Sequence, residues 1–155
     1  MTTTTLEQRI RRLEDRVDIA AVAVRYASAV DRADWDRLRD LFTDVVHVDF
    51  SEAGMPAADF ARDDFVAFAR QGLEGWDARQ HLSTNHEVDF DDADPDTAVL
   101  RSYMFAQHHM QGAPTFVMHG SYEHVVVRSD QGWRITRLVQ HLSWTDAPPA
   151  GMLAG

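Results

Sequence analysis

An aspartate and a histidine, Asp31 and His81, are the side chains of this sequence best suited to act together as a base. Asp31 ends residues 25–31, whose neighbours carry the apolar pattern of a core-facing helix, and His81 begins residues 81–90, which have the pattern of a β-strand. A carboxylate behind an imidazole fixes the tautomer of the ring and stabilises the imidazolium once a proton has moved. We therefore expect the rest of the chain to enclose this pair in one pocket.

The eight histidines do not show the spacing of metal ligands. Three pairs are close in sequence: His81 and His86, His108 and His109, and His119 and His124. Adjacent residues, or residues five apart, point to opposite faces of a regular strand. The sequence has no H-x-H, helical H-x-x-x-H or cysteine, and it has no phosphate-binding glycine loop or nucleophilic serine elbow. We expect neither a metal nor a cofactor, which leaves acid–base chemistry.

The composition is that of one globular domain with an acidic surface. The chain has 155 residues, of which 45% are hydrophobic and 26% charged, and its formal charge is −10. This charge argues against binding to nucleic acid or to an acidic membrane, because such surfaces attract basic patches. Without a membrane-spanning apolar run or a secretory h-region, we expect a cytoplasmic protein. We place the domain at residues 6–145, between a disordered N-terminus (1–5) and an irregular tail (146–155).

The first half of the chain is predicted to be mainly helical. A long helix follows Thr5, a possible N-cap, and its apolar residues recur at helical spacing from Leu6 onward. Its first part, 6–14, carries a narrow stripe that suits either the surface of this domain or a neighbouring subunit. The elements that follow are a short helix Trp35–Phe42 capped by Asp34, a strand Val45–Phe50, a loop Ser51–Ala58, and a helix from Asp63 or Asp64 to Gly72 or Gly75.

The second half is predicted to be a β-meander. Short turn-rich breaks separate four long segments: Arg79–Phe90, Thr97–Gln111, Thr115–Arg128 and Trp133–Trp144. Helices followed by an antiparallel sheet make an α+β protein, and strands of this length must twist and coil. We expect the sheet to wrap around the helices and to leave a cavity.

Several segments resemble the signatures of the SnoaL-like families in the nuclear transport factor 2-like (NTF2-like) superfamily. The resemblance lies in residues 26–36, 41–45, 80–86, 120–123 and 130–135, and it extends over roughly residues 6–145. It implies a cone-shaped fold, in which a strongly curved, mostly antiparallel sheet is closed by helices and open at one end. The motifs are most similar to scytalone dehydratase, hexachlorocyclohexane dehydrochlorinase and bile-acid 7α-dehydratase, which use an Asp–His pair to remove a proton and expel water or chloride.

The resemblance implies catalytic roles for four residues. The aspartate and histidine of those enzymes fall on Asp31 and His81, a tyrosine five residues before the aspartate matches Tyr26, and a second histidine falls near His109. Phe50 stands where scytalone dehydratase has a tyrosine, so a leaving group activated by a water held between two tyrosines is not expected here.

Aromatic and apolar residues are predicted to form the substrate-binding wall, and they are Phe50, Phe65, Phe68, Trp76, Met104 and Phe105. The histidine that enters the cavity depends on the local shape of the strand. His86 shares a face with Val88 and Phe90, so His81 points inward only if a bulge lies between residues 82 and 87. Without that bulge, His86 is the rival base.

The predicted function is a cofactor-independent lyase, with dehydratase-like elimination, or an isomerase acting on a small apolar cyclic or aromatic molecule. Two alternatives stay open: a binding or scaffold protein of the same fold without chemistry, and a polyketide cyclase. The outer face of the sheet would carry Val125, Val127 and Val139, so we expect a homodimer or a homotrimer, both of which occur among the relatives.

Overall fold

A six-stranded sheet and the helices packed against it share one hydrophobic core. The computed structural model describes residues 5–150. In chain order the elements are α1 (Leu6–Arg32), α2 (Trp35–Arg39), β1 (Phe42–Phe50), β2 (Met55–Ala61), α3 (Arg62–Leu73), β3 (Ala78–Phe90), β4 (Thr97–His109), β5 (Phe116–Ser129) and β6 (Gly132–Asp146). Residues 1–4 of the predicted N-terminus and residues 151–155 of the predicted tail lie outside the described residues.

The strand order of the sheet is β2-β1-β6-β5-β4-β3. β1 and β6 pair in parallel, and every other neighbouring pair is antiparallel. Irregular registers interrupt the β1–β2, β3–β4 and β5–β6 pairs, and such bulges bend a sheet. The α+β class and the curved, mostly antiparallel sheet are confirmed.

Helix α1 is held at both ends and along one face. Thr5 and Gln8 form a capping box. The Thr5 hydroxyl accepts from the Gln8 backbone N–H, and the Gln8 side-chain carbonyl accepts from the Thr5 backbone N–H. At the other end, Ala33 takes the left-handed conformation (φ 54°) and stops the helix. Buried side chains such as Ile19 and Val22 face the sheet. This packing fixes the position of the last turn, which carries Asp31.

The predicted loop Ser51–Ala58 is wrong. A short 3₁₀ turn is followed by strand β2, which begins at Met55 and pairs with β1. Pro56 removes a backbone donor and suggests a loop, but β2 lies at the edge of the sheet, where a strand needs partners on one side only. The first strand also begins earlier than predicted, at Phe42, because α2 ends at Arg39.

Strand β3 contains the bulge on which the inward direction of His81 depends. Thr84 pairs with Tyr103 and Glu87 pairs with Arg101, so β3 contains one more residue than β4 between these two pairs. Asn85, inside the bulge, has a positive φ of 54°. The condition for an inward His81 is met, and the extra residue exchanges the two faces of the strand beyond it. His81 and His86 therefore face the same, inner side of the sheet although they are five residues apart.

The outer face of the sheet carries several apolar side chains. Tyr103 and Trp144 are more than half exposed, whereas Val139 is buried among its neighbours. Association of subunits through this face stays a prediction. In residues 5–150, no helix has both the length and the apolar character needed to cross a bilayer.

Candidate active site

A cavity of about 210 Å³ lies between the helices and the inner face of the sheet. Most of its wall is apolar, and a few polar side chains enter from the sheet and α1. The lining residues are Tyr26, Val30, Phe50, Ala53, Met55, Phe65, Phe68, Ala69, Gly72, Leu73, Trp76, His81, Ala106, His108, Phe116, Met118, Tyr122 and Gln140. A mostly apolar pocket with a few converging polar groups is the usual form of a small-molecule site.

Asp31 and His81 meet at this cavity. The Asp31 Oδ1 atom lies 2.6 Å from His81 Nδ1, and Oδ2 accepts from the His81 backbone N–H at 2.8 Å. The side chains are 22% and 8% exposed, respectively. Because an ionised carboxylate can only accept hydrogen bonds, Nδ1 carries the proton and Nε2 carries the lone pair. The ring is thus held in the tautomer that can take a proton through Nε2.

The position of Asp31 in the last turn of α1 has an electrostatic consequence. The C-terminal end of a helix carries partial negative charge, which disfavours a carboxylate. The two N–H groups of His81 offset this cost, and they also tie the end of α1 to the start of β3. The carboxylate therefore positions the imidazole and joins two elements of the fold.

Two buried tyrosines line the same cavity as His81. Tyr26 lies on α1 and Tyr122 on β5, with ring centroids 5.7 Å apart in an edge-to-face arrangement. Burial raises the pKa of Tyr26 well above its usual range and raises the pKa of Tyr122 to about 12. Gln140 donates to the Tyr122 hydroxyl at 3.2 Å. Both phenols are therefore neutral hydrogen-bond donors over the physiological pH range.

The second histidine in the cavity is His108, and the prediction of His109 is wrong. The His108 ring packs edge-to-face on His81 at 5.2 Å and stacks on Phe116. His109 is exposed on the other side of β4, with its Nδ1 atom 3.3 Å from the Thr115 hydroxyl. Burial, reinforced by the nearby His81 ring, lowers the pKa of His108 to about 4. Every second residue of β4 from Ala98 to Ala106 is small or apolar, and His108 continues this series. The period of two could therefore have placed His108 on the inner face.

The predicted apolar wall is largely present. Phe50, Phe65, Phe68 and Trp76 line the cavity. Met104 is buried in the core without lining it, and Phe105 lies on the outer face, where its ring packs against His119 at 4.8 Å. Phe105 was expected in the cavity, but strand alternation gives it the opposite face from Met104.

His86 faces the core but does not line the cavity. Its Nε2 atom lies 3.0 Å from the Ser83 hydroxyl, and burial lowers its pKa. Sequence reasoning missed Tyr122 and Gln140, which lie on later strands and reach the site only through the curvature of the sheet. Among residues 5–150, no cluster of three or more histidine, aspartate or glutamate side chains is arranged to hold a metal ion.

A profile of the SnoaL-like domain matches residues 11–139. The chain belongs to the SnoaL-like family. The family resemblance seen in the sequence signatures is confirmed, and the NTF2-like fold is also that of related solved structures. No functionally curated protein matches this SnoaL-like chain.

Three solved structures illustrate the likeness in fold. The Kfla4162 protein of Kribbella flavida is 26% identical, with a TM-score of 0.81 over 87% of this chain and 95% of that one. A proposed scytalone dehydratase from Novosphingobium aromaticivorans is 22% identical (TM-score 0.79, 91% and 92% covered). The hexachlorocyclohexane dehydrochlorinase LinA-type3 of Novosphingobium barchaimii is 17% identical (TM-score 0.77, 92% and 95% covered). At these last two identities, the likeness shows a shared fold.

Proposed function

We propose that this SnoaL-like protein is a cofactor-independent lyase or isomerase that uses His81, positioned by Asp31, as a general base. The observation that carries the proposal is the double hydrogen bond from the Asp31 carboxylate to the ring and the backbone of His81 at the cavity wall. The two hydrogen bonds together fix the tautomer of the His81 ring and the direction in which it points, as a general base requires.

The pKa values of the neighbouring groups favour a mechanism in which the His81 ring acts first as the base and then as the acid. His81 Nε2 takes a proton from a carbon atom, the electron pair of that C–H bond forms the new double bond, and the leaving group departs. Tyr26, Tyr122 and His108 are poor proton donors, because the pKa values of the tyrosines are raised and that of His108 is lowered, so that its ring is already neutral. The His81 imidazolium is then the acid that returns the proton to a departing hydroxide. In an isomerisation, it returns the proton to another carbon.

The neutral donors near His81 define where substrate oxygen would lie. Tyr26 and His108 line the same cavity as His81. In this proposal the Tyr26 hydroxyl would turn from Tyr122 to donate to an oxygen that gains negative charge as the proton leaves carbon, and the His108 ring is a second candidate donor. Neither group carries a charge at neutral pH. The site therefore suits an uncharged carbonyl or hydroxyl compound better than a carboxylate or a phosphate.

The size of the cavity limits the substrate to a compact molecule. Drug-sized ligands occupy pockets of roughly 300–1,000 Å³, and this cavity of about 210 Å³ is smaller. Phe65, Phe68 and Trp76 present apolar rings to it. A monocyclic or small bicyclic apolar molecule with one or two oxygen atoms, or a halogen leaving group, fits these dimensions.

A proton-exchange assay tests the base without knowledge of the leaving group. Small cyclic ketones are incubated with the protein in D₂O, and exchange of the protons next to the carbonyl is followed by NMR. A parallel panel of cyclic alcohols and halides is followed for alkene products. We expect wild-type protein to accelerate exchange, His81→Gln to abolish the acceleration, and Asp31→Asn to reduce it by about 10²–10³-fold, since a neutral amide loses a charge-assisted hydrogen bond and the stabilisation of the imidazolium.

A surface Asp–His pair on the same protein provides the matched control. His47 Nδ1 lies 2.7 Å from Asp59 Oδ1, and neither residue belongs to the cavity lining. The variants His47→Gln and Asp59→Asn should keep full activity. Equal activity in wild type, His81→Gln and Asp31→Asn would reject the proposal.

A second candidate function, ligand binding without chemistry, rests on the structural side of the same contact. Because Asp31 also joins α1 to β3, the pair can serve the fold alone. This reading predicts that His81→Gln, which keeps a hydrogen-bond donor near Asp31, binds the same cyclic ketones with wild-type affinity and that wild type shows no exchange. Polyketide cyclisation would use the same base and differs only in its substrate.

A further inference from the structure

Helix α1 carries a second apolar stripe on the side that faces away from its own core. The stripe consists of Leu6, Ile10, Leu13, Val17 and Val24, which are between 48% and 70% exposed. With 3.6 residues per turn, this set lies on the opposite side of the helix from the buried residues of the same helix. The function proposed for the cavity does not use the stripe.

The stripe has the spacing of a coiled-coil seam. Its residues follow one another at intervals of four, three and four along the helix, and Ala20 continues the alternation to Val24. A repeat of this kind places apolar side chains at the a and d positions of a heptad. The seam is about 27 Å long at 1.5 Å per residue, which exceeds two heptads.

Charges of opposite sign flank the two edges of the stripe. Glu7 and Glu14 occupy one edge, and Arg9 and Arg16 occupy the other. The Arg16 guanidinium is turned back to its own domain, where it donates to the Val88 carbonyl, so Arg9 is the basic residue at the seam. When two such helices lie parallel, the basic edge of one faces the acidic edge of the other.

We propose that the stripe docks a second copy of this chain, with the two α1 helices parallel and in register about a two-fold axis. In this arrangement Leu13 meets Leu13 of the second copy, and Arg9 faces Glu14 of the second copy on both sides of the seam. An antiparallel pair would instead bring Glu7 toward Glu14 of the second copy, which places like charges together, and would leave Arg9 without an acidic partner. Charge complementarity therefore selects the parallel copy.

The oligomeric state of the full chain tests the surface. Light scattering coupled to size exclusion, and sedimentation equilibrium, should show a dimer for wild type. Leu13→Glu should raise the dissociation constant by roughly two orders of magnitude, because both copies lose an apolar anchor and gain a charge. Leu13 is 63% exposed, so circular dichroism and thermal melting should show the monomer intact. Tyr103→Glu on the outer sheet face is the matched control and should remain dimeric.

Two further variants test the orientation. The natural sequence contains no cysteine, so Leu13→Cys should form an interchain disulfide on mild oxidation only if the helices are parallel and in register. Arg9→Glu should weaken the dimer by about tenfold, and the double variant Arg9→Glu/Glu14→Arg should restore it, since the complementary pairs are re-formed with reversed signs. A monomeric wild type, or a dimer that Tyr103→Glu dissociates and Leu13→Glu does not, would overturn the proposal.

Discussion

Replacement of the buried His124 by phenylalanine should reduce the sensitivity of folding stability to acid. His124 is completely buried, and its ring contacts Tyr26 edge-to-face at 5.9 Å. Neither ring nitrogen makes a well-aligned hydrogen bond within residues 5–150. Burial lowers the pKa of His124 to about 4, the nearby His86 ring adds to the effect, and the Leu100 carbonyl partly opposes it. Phenylalanine keeps the ring and its contacts but cannot take a proton.

The magnitude follows from the difference between the folded and unfolded pKa values. An unfolded histidine titrates near pH 6.5. Between pH 6.5 and about pH 4, His124 is therefore protonated in the unfolded chain but neutral in the folded protein. Stability is therefore lost as the pH falls from 6.5 to 4. Linkage gives a loss of about 2 kcal/mol between pH 7 and pH 5 for this one residue. His108, whose pKa is also lowered to about 4, adds a similar loss.

Urea unfolding followed by tryptophan fluorescence at pH 7, 6 and 5 measures the effect. We expect the loss of unfolding free energy between pH 7 and pH 5 to be smaller by about 2 kcal/mol in His124→Phe than in wild type. The exposed His109 is the control, and His109→Phe should leave the pH dependence unchanged. If the unfolding free energy of His124→Phe kept the full wild-type pH dependence, the conclusion that His124 stays neutral in the folded protein at pH 5 would be wrong.

Three other changes have expected outcomes. Gly120→Ala should destabilise the fold by about 3 kcal/mol or more, because an added Cβ would lie 1.9 Å from the His141 carbonyl oxygen at the β5–β6 bulge; a melting temperature equal to that of wild type would contradict this. Asp15→Asn should cost about 1.5–3 kcal/mol in urea unfolding, since the buried Asp15 accepts from Arg128 at 2.7 Å, and an unchanged midpoint would show that the contact contributes nothing. Phe68→Ala should weaken binding of cyclic ketones in calorimetry, because Phe68 lines the cavity and is 40% exposed there, and it should lower the unfolding free energy by less than truncation of the fully buried Phe65; unaltered affinity would remove Phe68 from the binding wall.

The long strands were predictable because their pattern is local. The segments predicted for β3 and β4 begin within one residue of the observed strands, since turn residues and period-two burial leave little choice. β2 was not predictable in this way. Pro56 suggests a loop, and only the position of β2 at the edge of the sheet makes a strand containing that residue possible.

The histidines show where sequence reasoning reaches its limit. A sequence alignment by resemblance can be wrong by one residue, and in a strand one residue exchanges the two faces. The second cavity histidine was therefore expected at His109, whereas β4 presents His108 to the site. For His81 the open question was the direction of the side chain. It points inward only because β3 contains a bulge, and the sequence did not show whether that bulge exists.

The sequence by itself determined the family, the order of the helices and of the long strands, and the two residues proposed to form a base. These properties depend on residue types and on spacing along the chain, which a one-dimensional pattern records. The tertiary structure decided which side chains share the cavity: the β3 bulge turns His81 inward, the curvature of the sheet brings Tyr122 to Tyr26, and the end of α1 carries Asp31 to within 2.6 Å of His81. Such contacts depend on the relative placement of elements 50 or more residues apart, and that placement follows from the packing of the whole core.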